Sequence, residues 1–180
     1  MTSNYLGSVP TLVAVGLPFD PIAKAQENWD VVGWSAGTAM AAATSISRAH
    51  QIVLGRINDA LAPLDLTLSR FEALALLHFS RAGSMPLGKI GERLQVHPAS
   101  VTNTIDRLER DGLVERLPHP DDRRTVLARL TDAGRARVTE AADVLAEVEF
   151  GMQGLTDVQQ KSIDIALHDL RRAAGDFDAD

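Results

Sequence analysis

Apolar positions recur along the chain with two different periods, and the switch between them falls in one place. From Asp20 onward the spacing is helical. "FDPIAKAQENWD" predicts a helix with Asp20 as N-cap and Pro21 in its first turn. Gly33 and Gly37 interrupt it, and helix resumes with Ile46, Val53, Leu54, Ile57 and Leu61 on one face until Pro63 ends it. "LTLSRFEALALLHFSRAG" predicts the next helix, with Ser69 and Glu72 as a capping box and Gly83 as its close. "PLGKIGERL" is a short helix with Leu87, Ile90 and Leu94 inward. "HPASVTNTIDRLERDG" is a longer one with Pro98 in its first turn, Val101, Ile105 and Leu108 inward and Gly112 at its end. The period then changes to two. "LVERL" and "TVLARL" read as strands of a hairpin. Beyond Thr131 the helical period returns. One predicted helix is capped by Thr131 and buries Val138, Ala141, Leu145, Val148 and Met152. Another opens with a Thr156–Gln159 box and buries Ile163, Ala166, Leu167 and Leu170.

The fold class that follows is mainly α with a small β-hairpin. The helix pair over residues 87–112 has the length of a helix-turn-helix, and the hairpin after it makes a wing. The outward face of the second helix of that pair is Ala99, Ser100, Thr102, Asn103, Asp106 and Arg107. Short polar side chains let a helix backbone approach base edges in a major groove, and an arginine one turn later reaches guanine or phosphate. An ordinary solvated face has a similar composition, so the hairpin tip decides between the two. "HPDDRRTVLARLT" places Arg123 and Arg124 there, where arginine suits the negative potential of a minor groove. The neighbouring aspartates look contradictory. Asp122 is expected to act as a brace, accepting hydrogen bonds from the Arg124 guanidinium and from loop amides. His97 and His119, at the helix start and the wing entrance, are expected to cap the helix, shape the loop or meet phosphate.

Charge supports a local DNA face and not a general one. The formal net charge is -6. Residues 86–131 hold eight Lys/Arg against seven Asp/Glu, so that segment is +1 and the remainder is -7. With 45% apolar residues, the chain has enough to bury a core. It has no cysteine, which excludes disulfides, thiolate metal sites and thiol redox sensing. Residues 9–19 form the one apolar run near the start. They are too short to span a bilayer, and the first basic residue, Lys24, follows them, so neither a membrane nor a signal segment is expected and the cytoplasm is. The five histidines are scattered with no H-x-x-x-H pair, so no metal and no cofactor is expected. None of the common nucleophile, phosphate-loop, zinc-protease or dinucleotide motifs occurs, so the chain does not read as an enzyme.

The runs "LTLSRFEALALL" and "LGKIGERLQVHPASVTNTIDRLERDGLVERLPHPDDRRTVLARLTDAGR" resemble the MarR family of winged-helix regulators. The likeness extends over about residues 40–172. Its most specific element is the Asp122-x-Arg124 wing followed by alternating strand residues and Leu130-Thr131-x-x-Gly134. The resemblance implies a homodimer on double-stranded DNA with a palindromic operator, and a repressor released by a small lipophilic or phenolic ligand. Residues 1–20, without charge until Asp20, read as an irregular N-terminal arm, and dimerisation helices are expected over 21–64 and 132–175. Between these lie a winged helix-turn-helix lobe over 65–131 and, at the end, a tail over 176–180. The implied DNA-contacting set is Lys89, Pro98, Ala99, Ser100, Thr102, Asn103, Arg107, Asp122, Arg123 and Arg124, with Ser69 and Arg70 as further backbone contacts. Trp34, Met40, Arg48, His50 and His78 are the candidates for a ligand pocket, with Phe71 and Met85 close to them in the pattern; each also reads as ordinary core or surface. Two alternatives stay open: an architectural, ligand-independent DNA-binding protein, and a winged helix that binds protein. The acidic total weighs against the first, and the intact wing arginines weigh against the second.

Overall fold

A computed structural model of the chain describes residues 16–122 and 124–177. The N-terminal arm up to residue 15, Arg123 and the last three residues of the tail lie outside the described residues. The chain divides into two compact units, residues 1–55 and 56–180.

In the first unit, helix α1 spans Pro21–Val32. Asp20 caps it as expected, its carboxylate accepting from the amides of Ile22 at 2.8 Å and Ala23 at 3.4 Å. Gly33 ends it with φ +78°, a left-handed conformation that favours glycine. The Trp29 indole donates to the Ser35 carbonyl at 2.8 Å and meets Trp34 edge-on at 4.8 Å, which fixes the turn into α2, Gly37–Leu61.

The second unit begins within α2 and holds α3 (Leu68–Phe79), β1 (Ser84–Pro86), α4 (Leu87–Leu94) and α5 (Pro98–Arg110). After these come β2 (Val114–Pro118), β3 (Val126–Leu130), α6 (Asp132–Glu147) and α7 (Asp157–Ala173). Leu61, Leu74, Leu77, Ile90, Ile105, Leu108 and Leu145 are its most deeply buried large side chains. The faces that bury them are those the helical spacing marks, apart from two helices. Each such side chain contributes about 1.5–3 kcal/mol.

The sheet has three antiparallel strands in the order β1-β3-β2, not two. Val114 faces Leu130 and Pro118 faces Val126 across the hairpin, while Met85 of β1 faces Ala128. A three-residue strand is too short for a period of two to register in the sequence. It forms because β3 would otherwise leave an unpaired edge.

Several expectations are corrected. Ser69 and Glu72 do not box the start of α3. Thr67 is its N-cap, without a side-chain bond, and Ser69 already lies inside the helix. The first free amide, on Leu68, instead donates to the side chain of Asn58 at 2.9 Å, a cap supplied from ten residues upstream. The same helix stops at Phe79, and Gly83, at φ +62°, shapes the turn into β1. Helix α6 stops at Glu147, so Val148 and Met152 are not on its face. Glu149 and Phe150 take φ of +46° and +49°, and Arg56 holds the turn by donating to the carbonyls of Gly151 at 2.8 Å and Gln153 at 3.3 Å. The Thr156–Gln159 capping box is present on α7. The expected inward face of α7 is not inward, however: no residue of that helix is buried within the chain.

Thr131 ties the wing to α6. Its hydroxyl accepts from the Gly134 amide at 3.0 Å and donates to the Gly112 carbonyl at 2.8 Å. The helix start is thereby pressed against the β2 entrance, and a Cβ on Gly134 would lie 2.1 Å from the Leu113 carbonyl oxygen. Gly134→Ala is expected to destabilise by about 1–3 kcal/mol in urea unfolding, since a backbone atom must move. Gly88→Ala, at a helical glycine with nothing within 4 Å, is expected to stabilise by about 0.5–1 kcal/mol. Equal effects at the two sites would refute the close approach.

Candidate nucleic-acid interface

The turn between α4 and α5 is tight. Gln95 takes φ +52°, and the Val96 amide returns to the Gly91 carbonyl at 3.1 Å. A Cβ on Gly91 would lie 3.2 Å from Val101 and 3.3 Å from the Val96 carbonyl, so this glycine sets how closely the two helices approach. His97 caps α5 through Nδ1, which accepts from the Ala99 amide at 3.2 Å. That bond uses the tautomer with Nδ1 unprotonated.

With Val101, Ile105 and Leu108 buried, the opposite face of α5 is displayed. Pro98, Ala99, Ser100, Thr102, Asn103 and Arg107 are all exposed, as is Lys89 on α4. They are not equally free. The Thr102 hydroxyl donates to the Pro98 carbonyl at 3.1 Å. Ser100 lies at the α3 side, lining a small cleft with Ser69 and Glu72. Partial burial in that cleft raises the Glu72 carboxyl above its ordinary range. Asn103 and Arg107 stand clear of both constraints.

One side chain that the sequence reading treated only as a charge fixes the angle between α5 and the wing. Arg116, on β2, bonds Asp106 at 2.5 Å and Glu109 at 2.6 Å, and its amide donates to Glu109 at 3.1 Å. Its guanidinium also reaches the Thr102 carbonyl at 3.4 Å. Burial works against the Arg116 charge, but the hydrogen bonds of Asp106 and Glu109 outweigh it and its pKa rises. The signal was present as two acids three residues apart on the helix, followed by an arginine on the next strand. Farther along the hairpin, Glu115 pairs with Arg129 directly opposite, at 2.7 Å. That bond lowers the Glu115 carboxyl.

At the wing tip Asp122 braces the loop backbone. One carboxylate oxygen accepts from the Arg124 amide at 2.9 Å and the other from the Thr125 hydroxyl at 2.7 Å. The His119 ring accepts from the Asp121 amide at 3.2 Å, so His119 shapes the loop entrance. The expected bond from Asp122 to the Arg124 guanidinium is not formed; the carboxylate bonds the Arg124 amide and the Thr125 hydroxyl instead. Arg124 is exposed, and Arg123 lies outside the described residues.

The ligand candidates are scattered in character. Trp34 is exposed against Trp29, and Met40 is half-buried, accepting the Thr44 hydroxyl on its carbonyl and sulfur. Arg48 and His50 are exposed on α2. His78 is exposed at the end of α3 beside Phe79, whereas Phe71 and Met85 are buried. None of the five lines the cleft beside Glu72 or the groove between α4 and α5. Among the described residues there is no cluster of three or more His, Cys, Asp or Glu able to hold a metal, and no helix long and apolar enough to cross a membrane.

Comparison with known proteins places this geometry. The sequence model of the MarR family matches residues 66–126. The fold is similar to the crystal structure of Sco5413, a MarR family transcriptional regulator from Streptomyces coelicolor. The TM-score is 0.73 and the identity 48%, over 79% of this chain and 99% of that one. It is also similar to a mutant MarR from E. coli complexed with operator DNA, with a TM-score of 0.64 and 27% identity over 71% of this chain and 91% of that one. In direct sequence comparison, 38% identical over 80 residues, the chain spans about half, 54%, of the length of E. coli MarR. A third similar structure is BpsR of Bordetella bronchiseptica, whose DNA binding is regulated by 6-hydroxynicotinic acid. There the TM-score is 0.65 and the identity 25%, over 72% of this chain and 97% of that one.

Two outcomes are expected. Arg116→Ala costs about 1 kcal/mol, and a double-mutant cycle with Glu109→Gln gives a coupling above about 0.5 kcal/mol; a coupling of zero would mean that strand and helix are held by packing alone. The Asp122 carboxyl is lowered from its ordinary 3.8, first by the Thr125 hydroxyl and then by the Arg124 amide. Its hold on the loop is therefore complete above that value and is lost as pH falls through the lower native one. The Arg124 amide resonance should be flat from pH 8 to 5 and move only below 3.8.

Proposed function

The chain belongs to the MarR family, and on that premise we propose that it is a homodimeric, sequence-specific transcriptional repressor that binds palindromic operators on double-stranded DNA. The observation that carries the reading is the pairing of an exposed α5 face with a wing anchored to it through Arg116. Each subunit lays α5 in a major groove and reaches an adjacent minor groove with the wing. Ala99, Ser100, Thr102, Asn103 and Arg107 read bases, while Lys89, Pro98 and Arg123 serve the backbone and Arg124 the minor groove. Residues 65–131 form the DNA-binding lobe.

Residues 21–64 and 132–175 are assigned to dimerisation. Support comes from α7, where Ile163 and Leu170, seven residues apart on one face, are 39% and 56% exposed. Such a face on a capped, amphipathic helix is stable in water when a second copy covers it. Two-fold pairing then dictates half-sites about one helical turn apart. A small lipophilic or phenolic ligand releases the DNA by favouring a different spacing, with Trp34, Met40, Arg48, His50 and His78 as its candidate contacts. BpsR, regulated by an aromatic acid, is the relative that makes this expectation concrete.

Selection of random duplexes by the purified protein at fixed salt tests the reading, and a palindromic consensus is the expected result. Salt-sensitive, sequence-blind retention would replace it with an architectural role, and no retention with a protein-binding one. On the selected duplex, Arg124→Ala should lose more than about 1 kcal/mol. Asp122→Ala should also weaken binding although it removes a negative charge, because the loop backbone loses its two acceptors; tighter binding would mean that Asp122 merely repels DNA.

A further inference from the structure

Beyond the reading face, the last turn of α5 meets the start of α3 and the second turn of α6 around an open basin of about 500 Å3. Four arginines line it, Arg70, Arg107, Arg110 and Arg137, against two carboxylates, Asp65 and Asp111. Glu140 lies 3.5 Å from Arg137, so three carboxylates face four arginines and the local balance is +1, in a chain whose net charge is -6.

The arginines differ in how they are held. Arg70 donates to the Asp65 carbonyl at 2.6 Å and lies 3.6 Å from Asp111. Arg137 donates to the Leu64 carbonyl at 2.6 Å and lies 3.5 Å from Glu140. Their side chains are 18% and 34% exposed, so both are fixed before any ligand arrives. A carbonyl aims a guanidinium without neutralising it. Arg107 and Arg110 are exposed and have no hydrogen-bond or ion-pair partner among the described residues. The basin thus combines two preset forks with two free ones, the arrangement that recognises planar or tetrahedral oxyanions through paired N–H donors. Its volume falls in the range of small-molecule sites, about 300–1,000 Å3.

We propose that this basin binds a compact polyvalent oxyanion, a small dicarboxylate or a diphosphate, and that the bound anion competes with DNA for Arg107. The competition rests on the DNA-contacting role proposed for Arg107; the site itself does not. One guanidinium serves both partners, so anion and DNA weaken each other's binding by the same factor. This input is chemically separate from a lipophilic ligand, since the basin wall is lined with charge.

Calorimetric titration with pyrophosphate and, separately, succinate, at an ionic strength held constant with sodium chloride, tests the site and tells the two anion sources apart. At least one of them should bind, and Arg110→Gln should weaken that binding tenfold or more. Arg81→Gln, an exposed arginine outside the basin, should leave it within twofold. Arg110 is exposed, so its variant should melt with the parent, and in anion-free buffer it should bind the selected duplex within twofold of the parent. The binding anion should weaken duplex binding at least threefold in the parent and not in Arg110→Gln. Binding of neither anion, or binding indifferent to Arg110→Gln, overturns the site. If neither anion binds while Arg110→Gln and Arg137→Gln both weaken duplex binding, the basin is a DNA-backbone contact instead, and the proposal falls. A protein that binds pyrophosphate through Arg110 yet retains no duplex keeps the site but loses both the competition and the DNA reading.

Discussion

A helix that reads one groove and a wing that reaches the next must hold a fixed angle, or the second contact loses in entropy what the first gains. The Arg116 cluster meets that constraint. A single planar guanidinium on β2 engages two carboxylates a helical turn apart on α5, and its own amide closes the ring through Glu109. A fork bonded at two points adds a directional constraint to the apolar packing of α5 and the pairing of the sheet. The position of every proposed DNA contact on α5 relative to Arg124 follows from it.

The wing is secured at its other end by main-chain closeness. Thr131 joins the end of β3 to the carbonyl that ends α5 and to the first free amide of α6, and Gly134 lets that helix start lie against Leu113. The β1 strand completes the support by pairing β3 on its outer edge, so the middle strand of the wing is bonded on both sides and only the tip projects. The tip is in turn shaped by Asp122, His119 and Thr125, all through short-range bonds. The supporting bonds therefore run from the core to the Arg124 amide, with no buried charged side chain among the described residues.

How much of this was legible depended on the range of the interaction. Local signals were read correctly: the Asp20, Thr131 and Thr156 caps, the Gly33 stop, the inward triad of α5 and the period change at the hairpin. The false capping box at Ser69 shows the limit. The S-x-x-E spacing was present, but the helix starts earlier, with Thr67 as N-cap and the Leu68 amide capped by Asn58 from ten residues upstream, and nothing local could reveal that. The strand β1 was invisible because three residues do not show a period. The end of α6 was missed because its apolar spacing continues to Val148 and Met152 while the backbone turns at Glu149 and Phe150, two residues with no intrinsic preference for positive φ. For α7 the pattern was right about amphipathicity. Its error lay in the burial: no residue of that helix is buried within the chain.

Charge needs the same correction for range. A count over residues 86–131 gives +1, which looks too weak to attract a polyanion. The structure divides those arginines by partner. Arg116 and Arg129 are consumed by Asp106, Glu109 and Glu115, so three acids and two bases largely cancel within the protein. Asp122 spends both oxygens on an amide and a hydroxyl, leaving Arg124 unpaired although an aspartate sits two residues away. Among the described residues of that segment Arg93, Arg107, Arg110 and Arg124 keep guanidinium groups without partners, and of these Arg107 and Arg124 are the proposed DNA contacts on α5 and at the wing. The positive field comes from which carboxylates have been occupied elsewhere, not from the sum. This gives one of the two wing-tip acids a role: the Asp122 carboxylate builds the loop, and the Arg124 guanidinium it supports stays open to a partner outside the chain.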